Sequence, residues 1–117
     1  MKNIDRLQFL RHYNHDELVI LVGNNEKQIS VLHSTFMKDF SKALKNIRNA
    51  VKKSDKEAFI KNALIIEEAS KSVCYEIMEV LAIELQKNNI DDMQAITDGI
   101  EEMENELEII KEEINCI

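Results

Sequence analysis

Phosphoryl transfer, metal binding and acid–base catalysis each need titratable nitrogen, sulfur or oxygen at defined spacing, and this chain offers few such groups. There are three histidines, His12, His15 and His33. His12 and His15 stand three residues apart, the spacing of a metal pair on one helical face, but a pair alone recurs by chance and an N-terminal helix or loop position accounts for both. His33 precedes Ser34-Thr35-Phe36-Met37 within a long helical stretch and reads as a solvated or boundary histidine. Cys74 and Cys116 are too few and too isolated for a disulfide framework or a metal site, and read as reduced thiols, buried or partly exposed. Carboxylates occur as the adjacent pairs Glu67-Glu68, Glu101-Glu102 and Glu112-Glu113, expected on helix exteriors. A di-metal bundle would need Glu-x-x-His, which the chain lacks. No catalytic residue, metal site or cofactor is therefore expected.

Those residues must be carried by helices. The chain has no proline, only Gly23 and Gly99, 44% hydrophobic and 32% charged residues, a composition that reads as all-α. Its 117 residues make one domain large enough for a core. Residues 1–14 hold the apolar positions Ile4, Leu7, Phe9 and Leu10, expected as a small helix or a docked arm. A short helix at 15–22 is closed by Gly23-Asn24-Asn25, residues that tolerate positive φ. Over 25–53, Ile29, Leu32, Phe36, Phe40, Ala43, Leu44, Ile47, Ala50 and Val51 recur at steps of three and four, one face of a long helix. Ser54-Asp55-Lys56-Glu57 has the form of a capping box, which predicts Ser54 as N-cap of a helix that starts at Asp55 and buries Phe59, Ala63, Ile66, Ser70 and Val73. Propensity alone lets that helix run to Lys87, although Ser72 could cap a fresh start. The last helix, 91–115, shows a seam of Met93, Ile96, Ile100, Met103, Leu107, Ile110 and Ile114. Gly99 weakens it by about 1 kcal/mol relative to alanine.

The net charge of −7 argues against nucleic acid as a partner. No apolar run approaches the roughly 20 residues of a membrane span, and the N-terminus lacks a signal-peptide core, so a cytoplasmic location is expected. Charge is unevenly spread: Lys38, Lys42, Lys45, Arg48, Lys52 and Lys53 make the long helix basic, whereas Glu101, Glu102, Glu104, Glu106, Glu108, Glu112 and Glu113 make the last one acidic. The two stripes either pair with each other or, in the basic case, steer an acidic partner.

Read without gaps, residues 59–86 resemble the signature of the histidine phosphotransfer (HPt) domain. Ala63 fits the alanine before the phosphorylated histidine, Ile66 the following leucine, and Ala69 and Ser70 the two small residues. Val73, Met78, Leu81, Ala82 and Leu85 fall on its apolar or small positions. The reactive positions depart from the pattern: Leu64 stands where the histidine belongs, Glu67 where the lysine does and Glu68 where the glycine does. The family also turns near Val73 and Cys74, often at a glycine in the place of Cys74, which favours two helices over one between Asp55 and Lys87.

The resemblance implies an antiparallel up-down four-helix bundle over 25–117, with one or two short N-terminal helices in 1–24 packed on it. It implies a receiver or histidine kinase domain as partner, docked on Lys61, Leu64, Ile65, Glu67, Glu68 and Lys71. Leucine has no nucleophilic nitrogen, so phosphotransfer through Leu64 is excluded and a non-catalytic binding module is expected. The alternative is a structural or oligomerisation domain, a homodimer through the last helix or the Leu64 flank. In a third arrangement the N-terminal arm, with Leu7, Phe9 and Leu10, folds over Leu64 and buries it.

Overall fold

A computed structural model describes residues 7–116, which form five helices packed against one another: α1 (His15–Val22), α2 (Glu26–Lys52), α3 (Lys56–Ser72), α4 (Glu76–Gln86) and α5 (Met93–Asn115). Expectations for residues 1–6, Ile4 among them, lie outside the described residues. No helix among the described residues is long and apolar enough to cross a membrane. At about 1.5 Å per residue the 27 residues of α2 span roughly 40 Å, close to the 44 Å long axis. α2 packs on α3, α3 on α4 and α4 on α5.

Local chemistry explains the boundaries. Asn25 and Asp92 accept the backbone N–H groups of Gln28 and Ala95, capping α2 and α5. Gly23 closes α1 at φ 87°. Between α2 and α3 the expected capping box is displaced by one residue. Ser54 is not the N-cap of α3; it adopts φ 55°, while Asp55 caps α3 by accepting the Ala58 N–H at 3.1 Å. The reason is the end of α2, where the Asp55 N–H donates to the Ala50 carbonyl at 2.8 Å and the Ser54 N–H to that of Val51 at 3.2 Å. This Schellman arrangement needs one left-handed residue, and Ser54 supplies it.

The same device separates α3 from α4. Cys74 takes φ 61°, the Tyr75 N–H donates to the Ser70 carbonyl at 3.0 Å, and the Cys74 N–H donates to that of Lys71 at 3.3 Å. The chain therefore breaks after Val73 without a glycine. Ser72 does not start the new helix; its hydroxyl donates back to the Glu68 carbonyl, and Tyr75 occupies the N-cap with no side-chain bond. At Gly99 α5 comes close to α4: a Cβ there would lie 3.0 Å from Leu85 Cδ1, a tight contact that Leu85 would have to yield to.

The core contains Phe36, Phe40 and Ile47 of α2, Phe59 and Ile66 of α3, Met78 and Leu85 of α4, and Met103 and Ile110 of α5, with Leu18 of α1 and Tyr13 of the preceding segment joining it. On α5 the expected seam is displaced: Ile96, Ile100, Met103 and Ile110 are buried, but Met93 is exposed, Leu107 is only partly buried, and Glu106 lies inside. Residues 7–14 form a docked arm. Its Asn14 N–H donates to the Cys74 carbonyl and its Arg11 carbonyl accepts from the Ile77 N–H, which fixes the arm to the α3–α4 turn.

Candidate functional site

Once Asp55 starts α3, helical periodicity divides it into two faces. Phe59, Ala63, Ile66 and Ser70 are buried. On the opposite side Glu57, Lys61, Leu64, Glu68 and Lys71 are all exposed. Leu64 keeps 40% of its surface exposed, with Ile60 and Ile65 beside it nearly as accessible. The arm therefore does not bury Leu64, and its own Phe9 points into solvent at 89% exposure. The six residues of the sequence-derived docking patch are not equivalent. Lys61, Leu64, Ile65, Glu68 and Lys71 share the outer surface, whereas Glu67 is half-buried and its Oε1 accepts the Gln86 Nε2–H at 2.7 Å, joining α3 to α4. Lys61, Glu68 and Lys71 make no ion pair among the described residues. At the centre of this surface stands Leu64, whose side chain carries no nucleophilic atom.

A second cluster joins the arm to the bundle. Contrary to the boundary position expected for it, His33 is buried at 8% exposure, with Nδ1 2.6 Å from the Tyr75 hydroxyl and Nε2 3.1 Å from that of Tyr13. Tyr13 in turn lies 2.7 Å from His15 Nδ1. One direction of donation leaves no buried hydroxyl hydrogen unpaired. Tyr75 donates to His33 Nδ1, His33 donates from Nε2 to Tyr13, and Tyr13 donates to His15. Desolvation and the nearby His15 hold the His33 pKa below its ordinary value. Burial pushes the Tyr13 hydroxyl up to about 12 and that of Tyr75 upward as well. The Cys74 thiol is also raised, first by burial and then by Glu17, Glu76 and Glu79, so it is a poor nucleophile. Cys116 is exposed and both cysteines are free.

His12 completes the attachment. Its Nδ1 lies 2.7 Å from Glu106 Oε2, and Glu106, at 5% exposure, is no part of the acidic exterior of α5. Burial raises the Glu106 pKa, against the lowering effect of the His12 hydrogen bond. Glu76 accepts from the Arg11 N–H at 3.0 Å and from Asn14 Nδ2 at 2.8 Å. A cleft of about 570 Å³ opens between the start of α2 and the end of α5, lined by Tyr13, His15, Ser30, His33, Lys111 and Asn115 among others. No group of three His, Cys, Asp or Glu residues able to hold a metal occurs among the described residues. Between the two charge stripes, Arg48 pairs directly with Glu104 at 3.1 Å. Compared with known proteins, the chain matches no family model, no curated protein and no solved structure.

Proposed function

We propose that this chain is a non-catalytic HPt-like signalling module. In this reading α2 to α5 form an up-down four-helix bundle with α1 as its short leading helix. The outer face of α3 binds a receiver or histidine kinase domain of a cytoplasmic two-component phosphorelay without passing phosphate. The observation that carries the reading is the exposure of Leu64 midway along α3, at the position the resemblance assigns to the phosphorylated histidine. The left-handed Cys74 ending α3, where the family often has glycine, supports it too. So does Glu67, whose charge would oppose the acidic pocket of a receiver but is drawn toward α4 by Gln86.

The test is binding of the host's receiver and kinase domains to the full chain, followed by titration calorimetry. At least one is expected to bind, Leu64→Lys to weaken it about tenfold or more, and no phosphoryl label to move onto the chain. Failure of every receiver and kinase to bind would overturn the proposal. Self-association is the second reading, favoured by the order of charges on α3.

A further inference from the structure

The outer row of α3 runs Glu57, Lys61, Leu64, Glu68, Lys71, in steps of four, three, four and three, the spacing of a coiled-coil seam. Its charges reverse sign on reflection through Leu64. The nearest charged residue before Leu64 is a cation and the nearest after it an anion; one turn farther out the order is anion before, cation after.

An isologous two-fold interface requires a surface complementary to itself, residue i facing j while j faces i. An antiparallel pair of α3 helices crossing at Leu64 meets that requirement. Lys61 of each copy faces Glu68 of the other, Glu57 faces Lys71, and the two Leu64 side chains meet on the axis, with Ile60 and Ile65 adding apolar area. A parallel two-fold pair would instead set each charge against its own kind. None of the four charged residues makes an ion pair among the described residues, whereas Arg48 and Glu104, and Lys111 and Glu108, pair within the chain.

We propose that the occupant of this face is a second copy of the chain, docked antiparallel through α3 with its two-fold axis at Leu64. This rests on the reading of the outer face of α3 as a docking surface, and a receiver and a second copy would compete for it. One exposed helix face is a small interface, so the dimer is expected to be weak, with Kd on the order of 10–100 µM.

Sedimentation equilibrium of the full chain and two charge variants tests the register. Lys61→Glu and Glu68→Lys each set like charges opposite one another in both symmetry-related pairs, so each alone is expected to raise Kd at least about tenfold. Mixed one to one, the two variants regain opposite signs at every Lys61–Glu68 contact and are expected to associate as tightly as the wild type, as is the chain carrying both changes. Unchanged thermal unfolding of the variants, whose altered residues are exposed, shows that folding is intact. A wild type that stays monomeric to about 1 mM overturns the inference, as do single variants that dimerise like the wild type or a mixture that fails to associate. The proposed function is read separately, by receiver or kinase binding well below the dimer Kd, so either can fail while the other stands.

Discussion

On the outer face of α3 the out-of-place residues are apolar and exposed; where the arm meets α2, α4 and α5 they are polar and buried. The buried set is satisfied: no buried side-chain nitrogen or oxygen among the described residues lacks a hydrogen-bond partner. His33, Tyr13, Tyr75, Glu106 and Glu76 are matched to one another or to the arm, so this region is closed and its removal should be felt as stability. Leu64, Ile60 and Ile65 leave between 36% and 40% of their surface open to solvent, so their loss should be felt as binding. The same sequence thus separates groups that hold the fold from groups that face outward.

The largest expected effect tests the closed side. Tyr75→Ala removes a ring whose centroid lies 4.6 Å from that of Phe36 and the donor to His33, and should cost about 3–5 kcal/mol by urea denaturation. Next, His12→Ala leaves the buried Glu106 carboxylate without its partner, a loss of about 1–3 kcal/mol, and adding Glu106→Leu should restore most of it. Third is a pH effect. Because the folded state lowers the His33 pKa, the unfolded chain takes up a proton more readily. The contribution of His33 is fully present above about pH 6.5 and is lost as pH falls toward the depressed folded value. From about pH 7.5 to about 5.5 the denaturation midpoint of the wild type should therefore fall more than that of His33→Gln. The smallest stability effect belongs to the open side: Leu64→Lys should stay within about 0.5 kcal/mol while still weakening association. A loss from Leu64→Lys as large as that from His12→Ala would erase the distinction between the two regions.

Much of the closed architecture could be read from local patterns. The core face of α2 and the buried stripe of α3 follow from periodicity, whereas the expected starts at 25 and 91 fall on or one residue before Asn25 and Asp92, which act as N-caps. At the α2–α3 junction the N-cap was misplaced by one residue, because the backbone bonds that finish α2 require a left-handed residue, and a serine–aspartate pair does not declare which member takes it. His33 was legible in principle: it follows Ile29 by four and precedes Phe36 by three, in the middle of the apolar stripe. Glu106 was not. The arm that covers it lies 94 residues away in the chain, and nothing in the repeat of α5 marks that flank as one that will be closed over. The exposure of Leu64 followed from its place opposite Phe59, Ala63 and Ile66, but whether the arm would reach it depended on contacts that no local pattern encodes.

Several of the arm's ties run to residues far ahead of it: Asn14 to Cys74 and Glu76, Arg11 to Glu76 and Ile77, His12 to Glu106. During synthesis it leaves the ribosome before any of them has been translated. The stretch made first among these is therefore the last able to settle: until residue 75 emerges the nascent chain must carry His33 without the Tyr75 hydroxyl, and until α5 emerges it must carry His12 without Glu106.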